Sequence, residues 1–337
     1  MISVDASFIG TRKGTVKMNK RKTKICATAL SLLVLGSTLS PSVGAITYSP
    51  DRAISKSSAV IDEFYSDYDT DLYAYQNRLG VKTVVNKSIW SYPRRDVTVS
   101  GKAASVKGMV ISDTLYIPFR AAASALGASY SYSSSTKTAT MTASGLTLTA
   151  SSGCYVAYAN GRALFSIMPA VIMNDGRLYI PADIFAKATG LALSADSDSI
   201  TLSGSYKPLV SADKFYRADE VLWLGRIIHA EAVGEPLLGQ IAVGNVVLNR
   251  VKSAYYPNTI YGVIFDRKYG VQFSPILNGT IYNTPSYNAT LAAKICLDGY
   301  DISGGAFFFL RPEHSTSSWI PNSREYSFTI GNHDFYK

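Results

Sequence analysis

Hydrophobic and polar positions alternate in three different ways along this 337-residue chain. Near its start, Ile25 to Leu35 form an apolar run behind Lys20, Arg21, Lys22 and Lys24. From about Asp96, polar and apolar residues alternate over short stretches such as Ala139-Thr-Met-Thr-Ala143 and Ser199-Ile-Thr-Leu-Ser203. Period two predicts strands that bury one face. Beyond residue 213 the apolar spacing lengthens. Val221, Leu224 and Ile228 recur at helical intervals, and Leu222 to Val251 reads as two helices broken at Gly234-Glu235-Pro236. The predicted fold class is α+β, a β-rich N-terminal module with strand–helix–strand repeats followed by a mostly helical domain.

One acid disturbs the helical pattern. Glu231 falls next on the stripe of Val221, Leu224 and Ile228, and a buried carboxylate without a partner is costly. Either the backbone or an Arg from the C-terminal part satisfies it, or a raised pKa is its purpose. Glu235 directly precedes Pro236 at the start of the second helix, where the helix dipole favours negative charge; a structural role is expected of it. Asn249, polar within an apolar helix, is expected either to hold a neighbouring loop or to make a plain buried hydrogen bond.

The β-rich part contains a repeat. Leu115-Tyr-Ile-Pro118 recurs as Leu178-Tyr-Ile-Pro181, each followed by a short Ala-rich stretch, a Gly twelve residues after the Leu (Gly127 and Gly190), and an alternating strand. The unit predicts strand, Pro at a helix start, helix, Gly stop and strand.

The N-terminal run reads as a secretory signal over residues 18–45, with Val43-Gly44-Ala45 at the cleavage positions. Residues 1–17 match no part of a signal, so Met18 is the expected start. The apolar run is too short for a membrane span, and none is expected after cleavage. The expected organisation is 1–45 extension and signal, 46–95 linker with a helical stretch around 59–80 as the alternative, 96–207 β-rich module and 213–337 helical domain.

Charge narrows the partners. Removing the seven Lys and Arg and the single Asp of residues 1–45 takes the formal charge from +9 to +3, with 26 basic against 23 acidic residues. No basic stripe remains for phosphates, so no nucleic-acid partner is expected. Cys26 would leave with the signal, and Cys154 and Cys296, without CxxC spacing, read as two buried free thiols. All three His (His229, His314, His333) follow the β-rich module, and none stands in an HxxE or HxxxH phrase. No metal or cofactor is expected.

The strand–Pro–helix–Gly unit over residues 97–205 resembles the copper amine oxidase N-terminal-like domain, here read as a stalk or wall-attachment module that bears on wall polymers, without copper chemistry. The phrases Ile228-His-Ala-Glu-Ala-Val-Gly-Glu-Pro236, Gly239-Gln240, Val247-Leu-Asn-Arg-Val251, Pro257-Asn-Thr-Ile260, Gln272-Phe-Ser-Pro275, Gly304-Gly-Ala306 and Gly331-Asn-His333 with Phe335-Tyr336 resemble, in order, the cell-wall hydrolase family of the spore cortex-lytic (SleB) type. The resemblance implies a lysozyme-like domain outside the cell, in the wall or spore cortex. It implies a peptidoglycan groove, cleavage between N-acetylmuramic acid and N-acetylglucosamine, and Glu231 as catalytic acid/base of a lytic transglycosylase. Val233 stands where the family often has Arg.

A transglycosylase needs one acid that protonates the glycosidic oxygen and then takes a proton from the muramoyl hydroxyl. An apolar setting raises a carboxyl pKa in the required direction. A hydrolase normally needs a second carboxylate; Glu235, Asp266, Asp301 and Glu313 are candidates that no spacing singles out. For substrate binding, Gln272, Phe273 and Ser274 combine an aromatic with hydrogen-bonding groups, the alternative being a loop around one core Phe. Trp319 and Tyr336 are groove aromatics or core cover, and Phe307-Phe-Phe309 reads as a core strand. His333 lines the groove or packs by donating to a backbone carbonyl. An amidase acting on the same polymer and a non-catalytic wall-binding protein are the rival readings.

Overall fold

A computed structural model describes residues 87–268, 270–315 and 319–337. The expected signal, Cys26 and the segment to residue 86, with its alternative helix, lie outside the described residues.

The repeat builds the N-terminal module. After β1 (Arg94–Val99), β2 (Lys102–Ala103) and β3 (Gly108–Ile111), the first Leu-Tyr-Ile-Pro phrase forms β4 (Thr114–Pro118) and runs into helix α1 (Phe119–Leu126). A meander follows: β5 (Ser129–Ser133), β6 (Thr138–Ala143), β7 (Leu146–Ser151), β8 (Val156–Ala159) and β9 (Arg162–Phe165). Then β10 (Val171–Ile172) leads to the second phrase in β11 (Leu178–Pro181), helix α2 (Ala182–Thr189), β12 (Ala192–Ala195) and β13 (Ser199–Ser203). The two phrases lie side by side, β4 and β11 pairing antiparallel with Ile117 opposite Ile180. Pro118 and Pro181 cap the N-termini of α1 and α2, where a missing N–H costs nothing. Gly127 and Gly190 end those helices at φ 81° and 73°, a left-handed conformation that a side chain resists.

The sheet containing both copies runs β10-β11-β4-β3-β1-β13-β12, with β2 on β1, and the meander forms a second sheet. Where strand–helix–Gly–strand is expected, an additional strand follows each Gly, β5 in one copy and β12 in the other. The copies then diverge, since β6 enters the meander and β13 the first sheet.

The C-terminal region is helical as expected, with the break at residues 233–236. Helices α3 (Ala218–Ala232), α4 (Leu237–Lys252) and α5 (Tyr287–Leu297) pack together, and a small sheet β14 (Phe308–Leu310), β16 (His333–Tyr336), β15 (Tyr326–Ile330) closes one side. Leu224, Ile227 and Ile228 of α3 meet Ile241, Val246 and Val247 of α4 and Ile295 of α5 in a common core. Removing such side chains from water contributes about 1.5–3 kcal/mol each.

The module and the helical region share that core. Ala163 and Phe165 of β9 belong to it, and the Phe165 ring meets Tyr300 edge-on at 4.6 Å. Beside them Arg162 donates through Nε and Nη2 to Asp298 Oδ1 at 2.9 and 2.6 Å, both side chains being buried. The Tyr216 hydroxyl donates to Asp298 Oδ2 and Lys187 Nζ donates to the Asp298 carbonyl. The Phe215 ring lies 3.3 Å from the Arg162 guanidinium carbon.

Cys296 is a free buried thiol, whose pKa burial pushes up. Cys154 is not among the free thiols, which corrects the expectation of a second free thiol. Met109, Met168 and Met173 share a small buried core with Ile111, Val171, Tyr116 and Tyr179. That setting suits methionine as space filler; thioethers alone suit only Cu(I), and with no imidazole in this core these residues do not fit a Cu(II) site.

Candidate active site

The site is built where α3 ends. Leu224, Ile227 and Ile228 anchor one face of α3 in the core, and one turn later the same face delivers Glu231, half-buried, to the surface. Among the described residues its carboxyl has no hydrogen-bond or ion-pair partner. Burial raises its pKa to about 7, although the charges of His333 and Arg250 pull it down. A carboxylic acid still half protonated at neutral pH is the state that general acid catalysis requires.

Glu235, four residues on, has the opposite fate. Its carboxylate accepts from the Asn332 backbone N–H at 2.9 Å and from Asn332 Nδ2 at 3.1 Å, while His333 Nδ1 lies 3.5 Å away. Burial pushes its pKa up, but the contacts from His333 and Asn332 outweigh that and hold it at about 2. The His333 distance is long for a hydrogen bond, so the two Asn332 bonds are the firmer anchor. The Glu235 carboxylate thereby fastens the turn between β15 and β16 to the start of α4, a contact other than the helix-dipole interaction expected of it. Gly331 makes this possible, since a Cβ there would stand 2.0 Å from Glu235 Oε2.

Helix α4 is largely apolar; Gln240 donates to the Glu235 carbonyl at 2.8 Å, and further polar residues stitch down the loop after α5. Asn245 donates to the Tyr300 carbonyl at 2.8 Å and accepts from the Ile302 N–H at 3.0 Å. Asn249 donates to Ser303 Oγ at 2.8 Å and to the Ala306 carbonyl at 2.9 Å, the loop-holding alternative expected of it. Arg250 donates from Nε to the Phe307 carbonyl at 2.8 Å. Its guanidinium is buried against the rings of Tyr256, Phe273 and Phe308 at 5.2, 5.2 and 5.4 Å. Burial lowers the Arg250 pKa. Asn245 and Arg250 escaped assignment from the sequence, although each is a polar break in an apolar helix, which demands a buried partner.

The expected substrate-binding residues separate into two groups. Gln272 lines a cleft of about 890 Å³ with Tyr255, Phe308, Trp319 and Arg324, and Ser274 is exposed beside it at the start of the short helix Pro275–Asn278. Phe273 is 3% exposed and belongs to the core. His333 and Tyr336 are also buried, at 5% and 6%. His333 packs edge-on against Phe309 at 5.5 Å, with Nδ1 3.5 Å from the Glu235 carboxylate. The Phe307-Phe-Phe309 run divides: Phe309 faces the core and Phe307 and Phe308 line the cleft. Val233, where Arg is often found, is 55% exposed.

Among the described residues, the charges that act on Glu231 are those of His333 and Arg250. Of the other candidates, Asp301 accepts from Ser303 at 2.8 and 2.6 Å, Asp266 from the Lys268 N–H at 2.9 Å, and Glu313 lies 4.0 Å from Arg311. His229 Nδ1 accepts from the Ser286 N–H at 3.3 Å, so it faces α5, away from the acid.

Residues 234–336 match the Cell Wall Hydrolase family and residues 98–203 the Copper amine oxidase N-terminal domain. The C-terminal region is a cell wall hydrolase domain. Over 122 residues it is 38% identical to the spore cortex-lytic enzyme of Bacillus cereus, covering 36% of this chain and 46% of that protein. Over 120 residues it is 38% identical to the spore cortex-lytic enzyme of Halalkalibacterium halodurans, covering 36% of this chain and 35% of that protein. The chain thus spans less than half the length of these relatives. The catalytic domain of the germination-specific lytic transglycosylase SleB from Bacillus anthracis is 38% identical, with 36% of this chain and 97% of that chain covered and a TM-score of 0.34. The cell wall hydrolase domain match begins three residues after Glu231, so the acid lies just outside it.

Proposed function

We propose that this chain is a secreted enzyme that cleaves peptidoglycan glycan strands between N-acetylmuramic acid and N-acetylglucosamine, as a lytic transglycosylase of the wall or spore cortex. The observation that carries this reading is the carboxyl of Glu231, raised to about 7 by burial and, among the described residues, without a hydrogen-bond or ion-pair partner. The B. anthracis relative is described as a lytic transglycosylase, which supports the same chemistry.

Protonated Glu231 donates its proton to the glycosidic oxygen as the bond from that oxygen to muramoyl C1 breaks. The departing N-acetylglucosamine leaves with a new hydroxyl, and positive charge develops at C1. Glu231, now a carboxylate, removes the proton of the muramoyl C6 hydroxyl as that oxygen bonds to C1, giving the 1,6-anhydro end. The proton returns to Glu231, so one group serves both halves. Its environment matches both demands, since a pKa near 7 makes neither donation nor acceptance strongly uphill.

The test is to digest purified peptidoglycan with the full chain and weigh the products. Anhydromuramoyl ends are expected. Reducing muramic acid ends would replace the sugar hydroxyl by water, and freed stem peptides would replace the reaction by an amidase. If Glu231→Gln digests as fast as the parent, the acid has been misassigned.

A further inference from the structure

A second cavity, of about 500 Å³, opens where the β-rich module meets the helical region, and glycosidic cleavage makes no use of it. Its apolar wall is built from both sides. Phe165 of β9, Ile184 of α2 and Leu191 come from the module, and Tyr300 comes from the loop after α5. Phe165, Ile184 and Leu191 are buried, while Asp183 and Lys187 of α2 stand exposed at the rim. An apolar pocket of this size between two units, with a few polar groups beside it, is the usual form of a small-molecule site.

The two charges do not satisfy each other. Asp183 and Lys187 lie one turn apart on α2, at i and i+4, where an acid and a lysine ordinarily pair. Here Lys187 Nζ reaches across the junction to donate to the Asp298 carbonyl, and among the described residues it makes no ion pair with Asp183. An ammonium has three donors, so two are left. The Asp298 carboxylate itself is engaged by Arg162 and Tyr216. Neighbouring protein takes water from both rim charges, which raises the Asp183 pKa and lowers that of Lys187. The helix dipole accounts for an acid in the first turn of α2 and a base in the last. It does not account for the apolar cavity beside them.

A ligand that meets all three features carries an ammonium, a carboxylate and an apolar group. We propose that the cavity binds a small zwitterion with an apolar side chain, its ammonium at Asp183, its carboxylate at Lys187 and its side chain against Phe165, Leu191 and Tyr300. Two sources share this chemistry, a free amino acid and a dipeptide. The site touches both parts of the chain, so its occupant stabilises the junction by mass action. The inference is independent of the glycan-cleaving reading, since Glu231 does not line this cavity.

Calorimetric titration of the full chain with leucine and with leucyl-leucine tests it. Saturable binding of one of them at a single site is expected, and the tighter probe identifies the source. Acetylating the ammonium or amidating the carboxylate of that probe should each weaken it at least tenfold, the loss of one charge-assisted contact. Glycine in place of leucine should weaken it at least tenfold as well, through lost apolar burial. The variants should cross. Asp183→Asn is expected to remove the penalty for acetylation and keep that for amidation, and Lys187→Gln to do the reverse. Asp113→Asn, in the turn between β3 and β4, should change none of these ratios. Lys187→Gln also loses its bond to Asp298, so Asp183→Asn, which alters an exposed side chain, carries the decision. Saturation by neither probe overturns the site, as does an unchanged acetylation penalty in Asp183→Asn. If neither acetylation nor amidation weakens the parent, the occupant is a plain apolar molecule and the zwitterion is excluded.

Discussion

Glu231 and Glu235 stand on either side of the same break between α3 and α4, yet they are held at about 7 and about 2. Both lose water on folding. Glu235 recovers two hydrogen bonds from Asn332 and the neighbourhood of His333; Glu231 recovers none among the described residues. The difference is one of compensation: the first is compensated and fixes a turn, and the second is left short of partners with a raised pKa, which the proposed acid/base role requires. The junction between module and helical region repeats the first solution, with Asp298 compensated by Arg162 and Tyr216.

The comparison breaks most visibly at Glu231. Glu231→Gln is expected to lower glycan cleavage by about 10²- to 10⁴-fold, the range for loss of a general acid/base, measured as released ends per unit time. The same substitution should stabilise the fold. A folded pKa of about 7, against an ordinary 4.5, means that Glu231 weakens the fold as pH rises from 4.5 to 7, and by about 3 kcal/mol above it. Urea unfolding should therefore find the variant more stable at pH 8 and no different at pH 4. Equal stability at both values would mean that Glu231 is compensated after all.

Asp298→Ala should cost about 3–5 kcal/mol, because it leaves the Arg162 guanidinium buried without its counter-charge. Thermal unfolding of the full chain measures it. A loss below 1 kcal/mol would show the junction to be wet and loosely held.

Glu235→Ala should cost about 3 kcal/mol at pH 7. Since its folded pKa lies below the ordinary value, that contribution is present above pH 4.5 and is lost as pH falls to 2. The gap between parent and variant in urea should close over that window. A gap independent of pH would put the anchoring on packing. The smallest effect is expected of Asn249→Ala, which removes two hydrogen bonds at about 1 kcal/mol each, read as a lower urea midpoint with unchanged slope.

Much of this architecture was legible along the chain because particular residues restrict the backbone locally. Pro118 and Gly127, like Pro181 and Gly190, limit their own dihedral angles, so each start and stop could be read without knowing the fold. Glu231 was legible for the same reason: helical spacing alone puts it on the stripe of Leu224 and Ile228. The partners were hidden wherever they come from far away. Asn332 is 97 positions from Glu235 and Asp298 is 136 from Arg162, and neither contact leaves a periodic trace. Arg250 was missed because arginine near a helix end ordinarily faces water, whereas here three rings enclose it. Phe273, His333 and Tyr336 looked like groove residues by type, and burial places them beneath the surface.

The central claim is that Glu231 keeps its proton near neutral pH. Its side-chain carboxyl ¹³C shift, assigned by its loss in Glu231→Gln and followed across pH in the full chain, tests this directly. A midpoint near 7 is the predicted result. A midpoint near 4.5, with glycan cleavage intact, would contradict it.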